Sequence, residues 1–225
     1  MTYRDKIAGI LFSMVMIILP LYLVSYYFIM TPSFFEGVII HYQLPIHLNL
    51  SEEQITGAVK KLFQFLRSER DNLHLLVNFN GGRDEFFHAG EIKHVTNIRD
   101  ILKVFKVYTF VHFSLAMISF SWLVYKKKLH IVFKTYFIMF GLMFLTFLTL
   151  GFSYFINSTK VINNLHKLIF QDNFWILNPA TDRLIWLFPE TMILKIIFYL
   201  GLSQLVPFFV LIGVRIILNK TYTSD

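Results

Sequence analysis

The chain has 225 residues, of which 56% are hydrophobic and 18% aromatic, and its net charge is +7 with a mean hydropathy of +0.57. Soluble domains average about 45–50% apolar residues, and here the excess lies in long blocks, which indicates a membrane protein rather than an ordinary soluble domain. The basic residues do not gather on a soluble module, so a membrane-side bias explains the charge and no nucleic-acid partner is expected.

Four apolar runs are long enough to cross a bilayer, because about 20 helical residues span a hydrocarbon core of roughly 30 Å. The first run follows Arg4 and Lys6 and is interrupted by Pro20. It is too long for a signal-peptide core and no small-residue cleavage site follows it, so we expect an uncleaved span. The predicted spans are about 7–30, 105–125, 131–155 and 192–218.

Basic residues in the short connections predict the orientation of these spans. The second and third spans are joined by a tight loop that contains Lys126, Lys127 and Lys128. Arg4 and Arg215 would lie on the same side of the membrane. By the positive-inside rule, the N- and C-termini of this multi-pass protein are expected to be cytoplasmic.

The segments 31–104 and 156–191 are then expected outside the cell. In the first segment, Ser51 is a candidate N-cap, and the apolar residues that follow recur at helical spacing. A short extended piece over 73–79 and a turn over 80–82 come next, and a helix from about Gly90 enters the second span.

The second segment begins with Ser158 as a candidate cap for a helix over 159–170. Trp175 and a turn at Asn178-Pro179 follow, with a short amphipathic stretch to Trp186. Neither segment has enough apolar surface to fold alone, so we expect them to pack together. The sequence therefore predicts one membrane domain over 1–225: an all-α integral membrane protein, in which a four-transmembrane-helix bundle carries a small, mostly helical extracellular cap.

Two of the eight histidines differ from the rest by position, because both lie on apolar faces of predicted helices near the boundary with the bilayer. His94 has Glu91 one turn before it, placed to hold the imidazole in one tautomer. His166 has Asn163 one turn before it. An ionisable group at such a boundary is costly unless it is partnered or used. On spacing alone, a satisfied core histidine remains the simpler interpretation of each.

Other chemistry is excluded by missing motifs. The sequence contains no cysteine, no His-Glu-x-x-His zinc motif, no Gly-x-Ser-x-Gly elbow and no P-loop. A thiolate or Ser-elbow nucleophile and a nucleotide site are therefore unsupported. The residues by themselves indicate a membrane protein with a possible two-histidine site.

Two segments resemble a known family. The run Glu91-Ile92-Lys93-His94, which continues to Asp100, resembles the E-I-x-H helix of the bacterial lipoprotein intramolecular transacylases (Lit). A second match, in the family's order, comprises His166, Phe170, Asp172, Trp175, Asn178-Pro179, Asp182, Leu184-Ile185 and Phe188-Pro189-Glu190. The number of spans and the position of the cap are also similar.

The resemblance implies an acyltransferase of the bacterial plasma membrane. Such an enzyme moves the sn-2 acyl chain of a diacylglyceryl-modified lipoprotein to the α-amino group of its N-terminal cysteine. The family's catalytic histidine pair carries over to His94 and His166, while the pocket and orienting residues are expected to be Glu91, Asn163, Asp172, Trp175 and Asp182. The implied partners are the lipoprotein substrate and membrane lipid. No cofactor and no metal are expected, and the oligomeric state stays open.

This chemistry suits a sequence without a nucleophile motif, because the attacking amine belongs to the substrate. One histidine would act as base toward the amine and the other would donate to the ester oxygens, and the sequence does not say which is which. Two alternatives remain: a metal-dependent membrane hydrolase, and a non-catalytic membrane receptor or assembly protein.

Overall fold

A computed structural model of the chain describes residues 2–222, with the backbone alone for Ser33, Glu36, Thr221 and Tyr222. The fold is all-α apart from one antiparallel hairpin, in which Leu76 faces Glu85 and Phe79 faces Gly82. In chain order the elements are α1 (Tyr3–Met30), α2 (Ser33–His41), α3 (Leu44–Leu48), α4 (Glu52–Leu66), β1 (Leu76–Phe79), β2 (Gly82–Glu85), α5 (Ala89–Tyr125), α6 (His130–Ile156), α7 (Ser158–Ile169), α8 (Leu184–Leu187), α9 (Glu190–Ser203) and α10 (Leu205–Tyr222).

Between residues 2 and 222, four helical stretches are long and apolar enough to cross a membrane: Tyr3–Met30, Ala89–Tyr125, His130–Ile156 and Glu190–Lys220. The last of them is broken between α9 and α10, where the sequence predicted one continuous helix over 192–218. Pro207 explains the break, because a helical proline lacks an N–H and its ring clashes with the carbonyl four residues earlier, here that of Ser203.

The chain divides into two compact units. The first unit comprises Met1–Val24, Phe105–Asn163 and Phe198–Asp225. In it α1 lies close to α6, since a Cβ added at Gly9 would meet the side chain of Ile131 at 2.8 Å. The hydroxyls of Ser13 and Thr135 share a hydrogen bond of 2.8 Å, and the rings of Phe140 and Phe208 stack at 4.7 Å. These contacts join α1, α6 and α10.

The second unit comprises Ser25–Val104 and Asn164–Ile197 and holds the larger apolar core. Both predicted cap segments contribute to this core. The first segment supplies fully buried residues such as Phe86 and Phe87, and the second supplies Leu184 and Leu187. The shared core gives each segment the apolar partner that it lacks in isolation.

The local signals outside the predicted spans were confirmed at one helix start and were wrong or missing at two other elements. Ser51 caps α4 as predicted, in a capping box whose N3 residue is Gln54. At α7 the prediction of Ser158 as cap is wrong: Asn157 accepts the N–H of Lys160 at 2.8 Å and thus occupies the cap position. The strand β2 was not predicted, because its sequence Gly-Arg-Asp-Glu has no apolar alternation.

Candidate active site

The first turns of α5 bury one face of the helix in the second unit. Glu91, His94 and Val95 are 0%, 7% and 2% exposed, while Lys93 between them is exposed. The spacing of three and four residues places these side chains on one face of a 3.6-residue helix. Phe86 and Phe87 immediately before the helix are fully buried and anchor its start.

Burial makes His94 a neutral imidazole. It lowers the pKa of His94 to about 4, and the neighbouring His166 contributes to the shift, while Asp172 opposes it. The Nδ1 atom of His94 is buried and has no hydrogen-bond partner among the described residues. The ring therefore presents a neutral, uncommitted polar atom over the physiological pH range.

His166 lies near the C-terminal end of α7, close to the ring of His94. The two imidazole centroids are 6.1 Å apart, with 35° between the ring planes. Phe170 packs its ring edge to face with His94 at 4.8 Å and stacks on His166 at 5.7 Å. The indole of Trp175 stacks on His166 at 5.1 Å. The histidine pair is therefore surrounded by aromatic rings from the segment that follows α7.

Asp172 and Asn97 tie this segment to α5. The amide of Asn97 donates to a carboxylate oxygen of Asp172 at 2.7 Å, and the other carboxylate oxygen accepts the backbone N–H of Phe174. Asn97 lies one turn after His94, so this hydrogen bond holds the turn that carries Trp175 beside the histidine pair. Sequence reasoning did not identify Asn97, because nothing local marks a contact with a residue 75 positions away.

Glu91 makes different contacts from those expected of it. Its two carboxylate oxygens accept the backbone N–H groups of His88 and Leu184, each at 2.6 Å, and neither bonds to His94. Burial raises the pKa of Glu91, and the two N–H donors oppose that rise. The expectation that Glu91 orients His94 is thus corrected: the carboxylate caps α5 and joins it to the start of α8.

Asp182 also lies beside His88 rather than at the histidine pair. Its carboxylate accepts the N–H of Asn178 at 2.7 Å and lies 3.7 Å from Nδ1 of His88. Next to it, the buried Arg183 pairs with Asp84 at 2.7 Å and donates to the carbonyls of Glu85 and Phe86. We call His88, Glu91, Asp182 and Arg183 the Glu91 node.

The Glu91 node contains the residues that could hold a metal ion. Within residues 2–222, one ligand atom from each of His88, Glu91 and Asp182 lies within 4.8 Å of the others. However, both oxygens of Glu91 already accept backbone N–H groups, and Asp182 accepts another. The distances allow a cation, but the carboxylate groups of Glu91 and Asp182 already accept hydrogen bonds from the backbone.

The remaining predicted residue, Asn163, is exposed on α7 and belongs to the first unit, whereas the histidine pair belongs to the second. The structure therefore brings together His94, His166, Asp172 and Trp175 and assigns Glu91 and Asp182 to the node. Chemically, the histidine pair offers a neutral proton acceptor and a second imidazole, with aromatic rings packed against both. Such a site suits proton transfer around an apolar ester rather than attack by a protein nucleophile.

Comparisons with known proteins identify a family for the sequence and solved structures of the same fold. The family model described as "Lipoprotein intramolecular transacylase Lit" matches residues 10–192. No curated protein matches the sequence. The solved structure of the membrane integral lipoprotein intramolecular transacylase Lit from Bacillus cereus has a TM-score of 0.78 at 18% identity and covers 100% of both chains.

Two further structures are of the same Bacillus cereus protein with one histidine replaced. The alanine variant has a TM-score of 0.71 at 17% identity and covers 98% of this chain and 96% of its own. The arginine variant has a TM-score of 0.69 at 18% identity and covers 98% and 95%. At these identities the structures establish a shared fold.

Proposed function

The chain belongs to the lipoprotein intramolecular transacylase (Lit) family and is a membrane acyltransferase, and we propose that His94 and His166 are its catalytic residues. The reaction we propose moves the sn-2 acyl chain of a diacylglyceryl lipoprotein to the α-amino group of its N-terminal cysteine. The product is an N-acylated lyso-form lipoprotein. Converting an ester to an amide is downhill, so the reaction needs no cofactor.

The proposed reaction forms one bond and breaks one bond within a single substrate molecule. The neutral amine attacks the ester carbonyl carbon, and the carbonyl electrons move to its oxygen. The ammonium nitrogen of this adduct gives up a proton, the bond to the glyceryl oxygen breaks, and that oxygen takes up a proton. The protein must accept one proton, deliver one, and hold amine and ester together.

The observation that carries this proposal is the 6.1 Å separation of the two imidazole centroids, one ring having a buried nitrogen without a hydrogen-bond partner in the described part of the chain. We assign the role of base to His94, because its imidazole is neutral and its Nδ1 atom has no hydrogen-bond partner among the described residues. His166 is more exposed and is assigned the proton donor to the leaving glyceryl oxygen. General acid or base catalysis contributes typically about 10²–10⁴-fold each.

The aromatic surroundings support a second contribution, which is positioning. Phe170 packs on both histidine rings and Trp175 on that of His166, so these aromatic rings cover part of the imidazole surfaces. Holding amine and ester in attack geometry removes up to roughly 7–11 kcal/mol of barrier. Desolvation also lowers the pKa of a substrate amine, which increases the neutral fraction that attacks.

Lipid contacts are expected along α7. The apolar residues of α7 recur at helical spacing and form one face of the helix, opposite its polar residues. This apolar face is not covered by the protein: Leu168 and Ile169 are 82% and 54% exposed. An exposed apolar face opposite lysines is typical of a helix that lies in the membrane interface. We infer that α7 contacts bilayer lipid, which is also the medium that holds the substrate's acyl chains.

The proposed topology places both termini in the cytoplasm and the segments 31–104 and 156–191 outside the cell. Because the chain has no cysteine, single cysteines are clean reporters. Lys127→Cys and Glu53→Cys in intact cells should react differently with a membrane-impermeant maleimide: only the second should be labelled. If only the Lys127→Cys variant were labelled, the orientation would be the opposite of the one proposed.

The function is tested by expressing the chain beside a diacylated lipoprotein and fragmenting its N-terminal peptide by mass spectrometry. Transfer within one molecule leaves the total mass unchanged and moves one acyl group to nitrogen. His94→Ala and His166→Ala should each abolish the N-acyl fragment while the protein remains folded. Activity retained by either variant would remove that histidine from the mechanism.

His47→Ala is the matched control. His47 also lies in the second unit and stacks on a tryptophan, Trp186, at 5.2 Å, but it has no place in the proposed mechanism. It should leave the fragment pattern unchanged. If no variant and no level of expression altered the lipoprotein, a receptor or assembly role would replace the enzymatic one.

A further inference from the structure

Two buried polar atoms beside His166 lack hydrogen-bond partners among the described residues. One is Nδ1 of His94, and the other is the indole Nε1 of Trp175. The indole of Trp186 in the same unit provides a comparison, because its Nε1 donates to the carbonyl of Pro179 at 3.0 Å. The unit thus satisfies one tryptophan N–H and leaves the other unused.

An unused buried donor is costly. Leaving such a group unsatisfied costs roughly 1–3 kcal/mol, and an indole nitrogen is a donor only, so it has no alternative role. Such groups in folded proteins call for an explanation, and a catalytic role is a common one. Enzymes that transfer acyl groups require preorganised donors at the position where negative charge develops on the carbonyl oxygen.

We propose that the indole N–H of Trp175 donates the hydrogen bond that stabilises the ester carbonyl oxygen when the amine attacks. This inference rests on the proposed acyl transfer and adds to it a third catalytic residue. In the attack step, the N–C bond forms and the π electrons of C=O move to oxygen, which is held by the indole N–H. When the adduct collapses, the C=O bond is restored and the C–O bond to glycerol breaks.

The placement of the ring supports the assignment. Trp175 stacks on His166 at 5.1 Å, and His166 lies 6.1 Å from His94. Asp172, three residues earlier, fixes this turn through Phe174 N–H and Asn97. The donor is therefore preorganised: its ring is held before substrate arrives, so orienting it costs nothing during the reaction.

The substitution Trp175→Phe tests the contribution of the indole N–H separately from that of the aromatic ring. Phenylalanine keeps an aromatic face for His166 but has no donor. Transacylation should slow by about 10²–10³-fold in kcat, the usual effect of removing one oxyanion donor, with KM changed by less than about threefold. Trp186→Phe, which removes a structurally used indole, is the matched control and should retain kcat.

A second variant protects the test against misfolding. Replacing Trp175 by β-(3-benzothienyl)alanine, introduced through a reassigned codon, exchanges N–H for sulfur in a ring of the same shape. It should show the same loss in kcat with an unchanged melting temperature. If either folded variant kept kcat within about threefold of the unaltered chain, the Trp175 proposal would be overturned.

The outcomes also separate this proposal from the function itself. If His94→Ala and His166→Ala are inactive while Trp175→Phe is fully active, only the donor role fails. If the histidine variants retain activity, the proposed histidine pair fails, whatever the tryptophan does. A loss in Trp175→Phe that appears in KM alone would show that Trp175 shapes the pocket for the ground state and would overturn the donor role.

Discussion

Two groups of polar residues contact α5 one turn apart, one through Glu91 and the other through His94, and they are built in opposite ways. At the Glu91 node the buried carboxylate accepts two backbone N–H groups, and Arg183 is engaged with a carboxylate and two carbonyls. At the histidine pair, His94 Nδ1 and Trp175 Nε1 are buried with no partner among the described residues. Polar groups whose partners are all in place hold the fold, whereas buried groups without a partner call for an explanation, and at the histidine pair we propose that the substrate supplies it. We therefore expect substitutions at the node to change stability and substitutions at the histidine pair to change activity.

The largest effect expected at the node is on stability. Glu91→Ala leaves one buried and one part-buried backbone N–H group without an acceptor and should lower the free energy of unfolding by roughly 2–4 kcal/mol. Thermal unfolding in a mild detergent measures it, with Glu91→Gln as a milder control that keeps one acceptor. The rate per folded molecule should fall only a few-fold. A rate as low as that of His94→Ala at an unchanged melting temperature would show that Glu91 belongs to the chemistry.

The pH dependence of stability sharpens the same contrast. Burial lowers the pKa of His94 to about 4, and an unfolded chain returns it to about 6.5. As the pH falls between these values, the unfolded state binds a proton that the folded state does not. The free energy of unfolding should therefore decrease, by at most about 1.4 kcal/mol per pH unit.

His94→Gln should remove this part of the acid destabilisation, because glutamine does not titrate. The measurement is the difference between the melting temperatures of the unaltered chain and the variant from pH 7 to pH 4.5. Two parallel curves would mean that the pKa of His94 is the same in the folded and unfolded states, so burial would not keep the imidazole neutral and the argument for its role as base would lose its support.

A smaller effect is expected at the hydrogen bond between Asn97 and Asp172. Asn97→Ala releases the turn that carries Trp175 and should reduce kcat roughly tenfold, which corresponds to about 1.4 kcal/mol of barrier. Its effect on unfolding should be about 1 kcal/mol. Asn173→Ala, an exposed neighbour in the same turn, is the control and should leave kcat unchanged.

No effect is expected from chelation. His88, Glu91 and Asp182 come close enough to hold a cation, but the proposed mechanism uses none. Activity in membranes treated with EDTA should equal that of untreated membranes, and His88→Gln should retain it. Loss of activity on chelation, with recovery on adding Zn²⁺, would instead favour a metal-dependent enzyme.

Long apolar runs made the membrane fold predictable, because only helices of a certain length cross a bilayer without exposing backbone polar groups. Pro207 in the sequence is a signal for the break between α9 and α10. A proline alone does not predict a break, however, because Pro20 lies inside the unbroken helix α1. The strand β2 has no comparable signal in its sequence, because it forms a strand through its hydrogen bonds with β1 and not through an apolar alternation of its own.

At the site, helical spacing identified His94 and His166 as residues on buried or interfacial faces. It did not bring them together, because their 6.1 Å separation depends on contacts between distant segments. Glu91 shows the same limit: its local neighbour His94 was the natural partner, but its carboxylate reaches the backbone of Leu184, 93 positions away. A backbone N–H has no side-chain signature, so sequence reasoning could not have found it.

Because the apolar face of α7 is exposed, we expect the lipid around this helix to influence the position of the histidine that it carries. No residue of this helix is buried by the rest of the protein, although it carries one of the two imidazoles. If α7 contacts lipid as proposed, we expect the position of His166 to depend on the lipid around the helix as well as on packing against Phe170. Solubilisation in short-chain detergent should disturb turnover before it disturbs the fold, and native lipid extract should restore it.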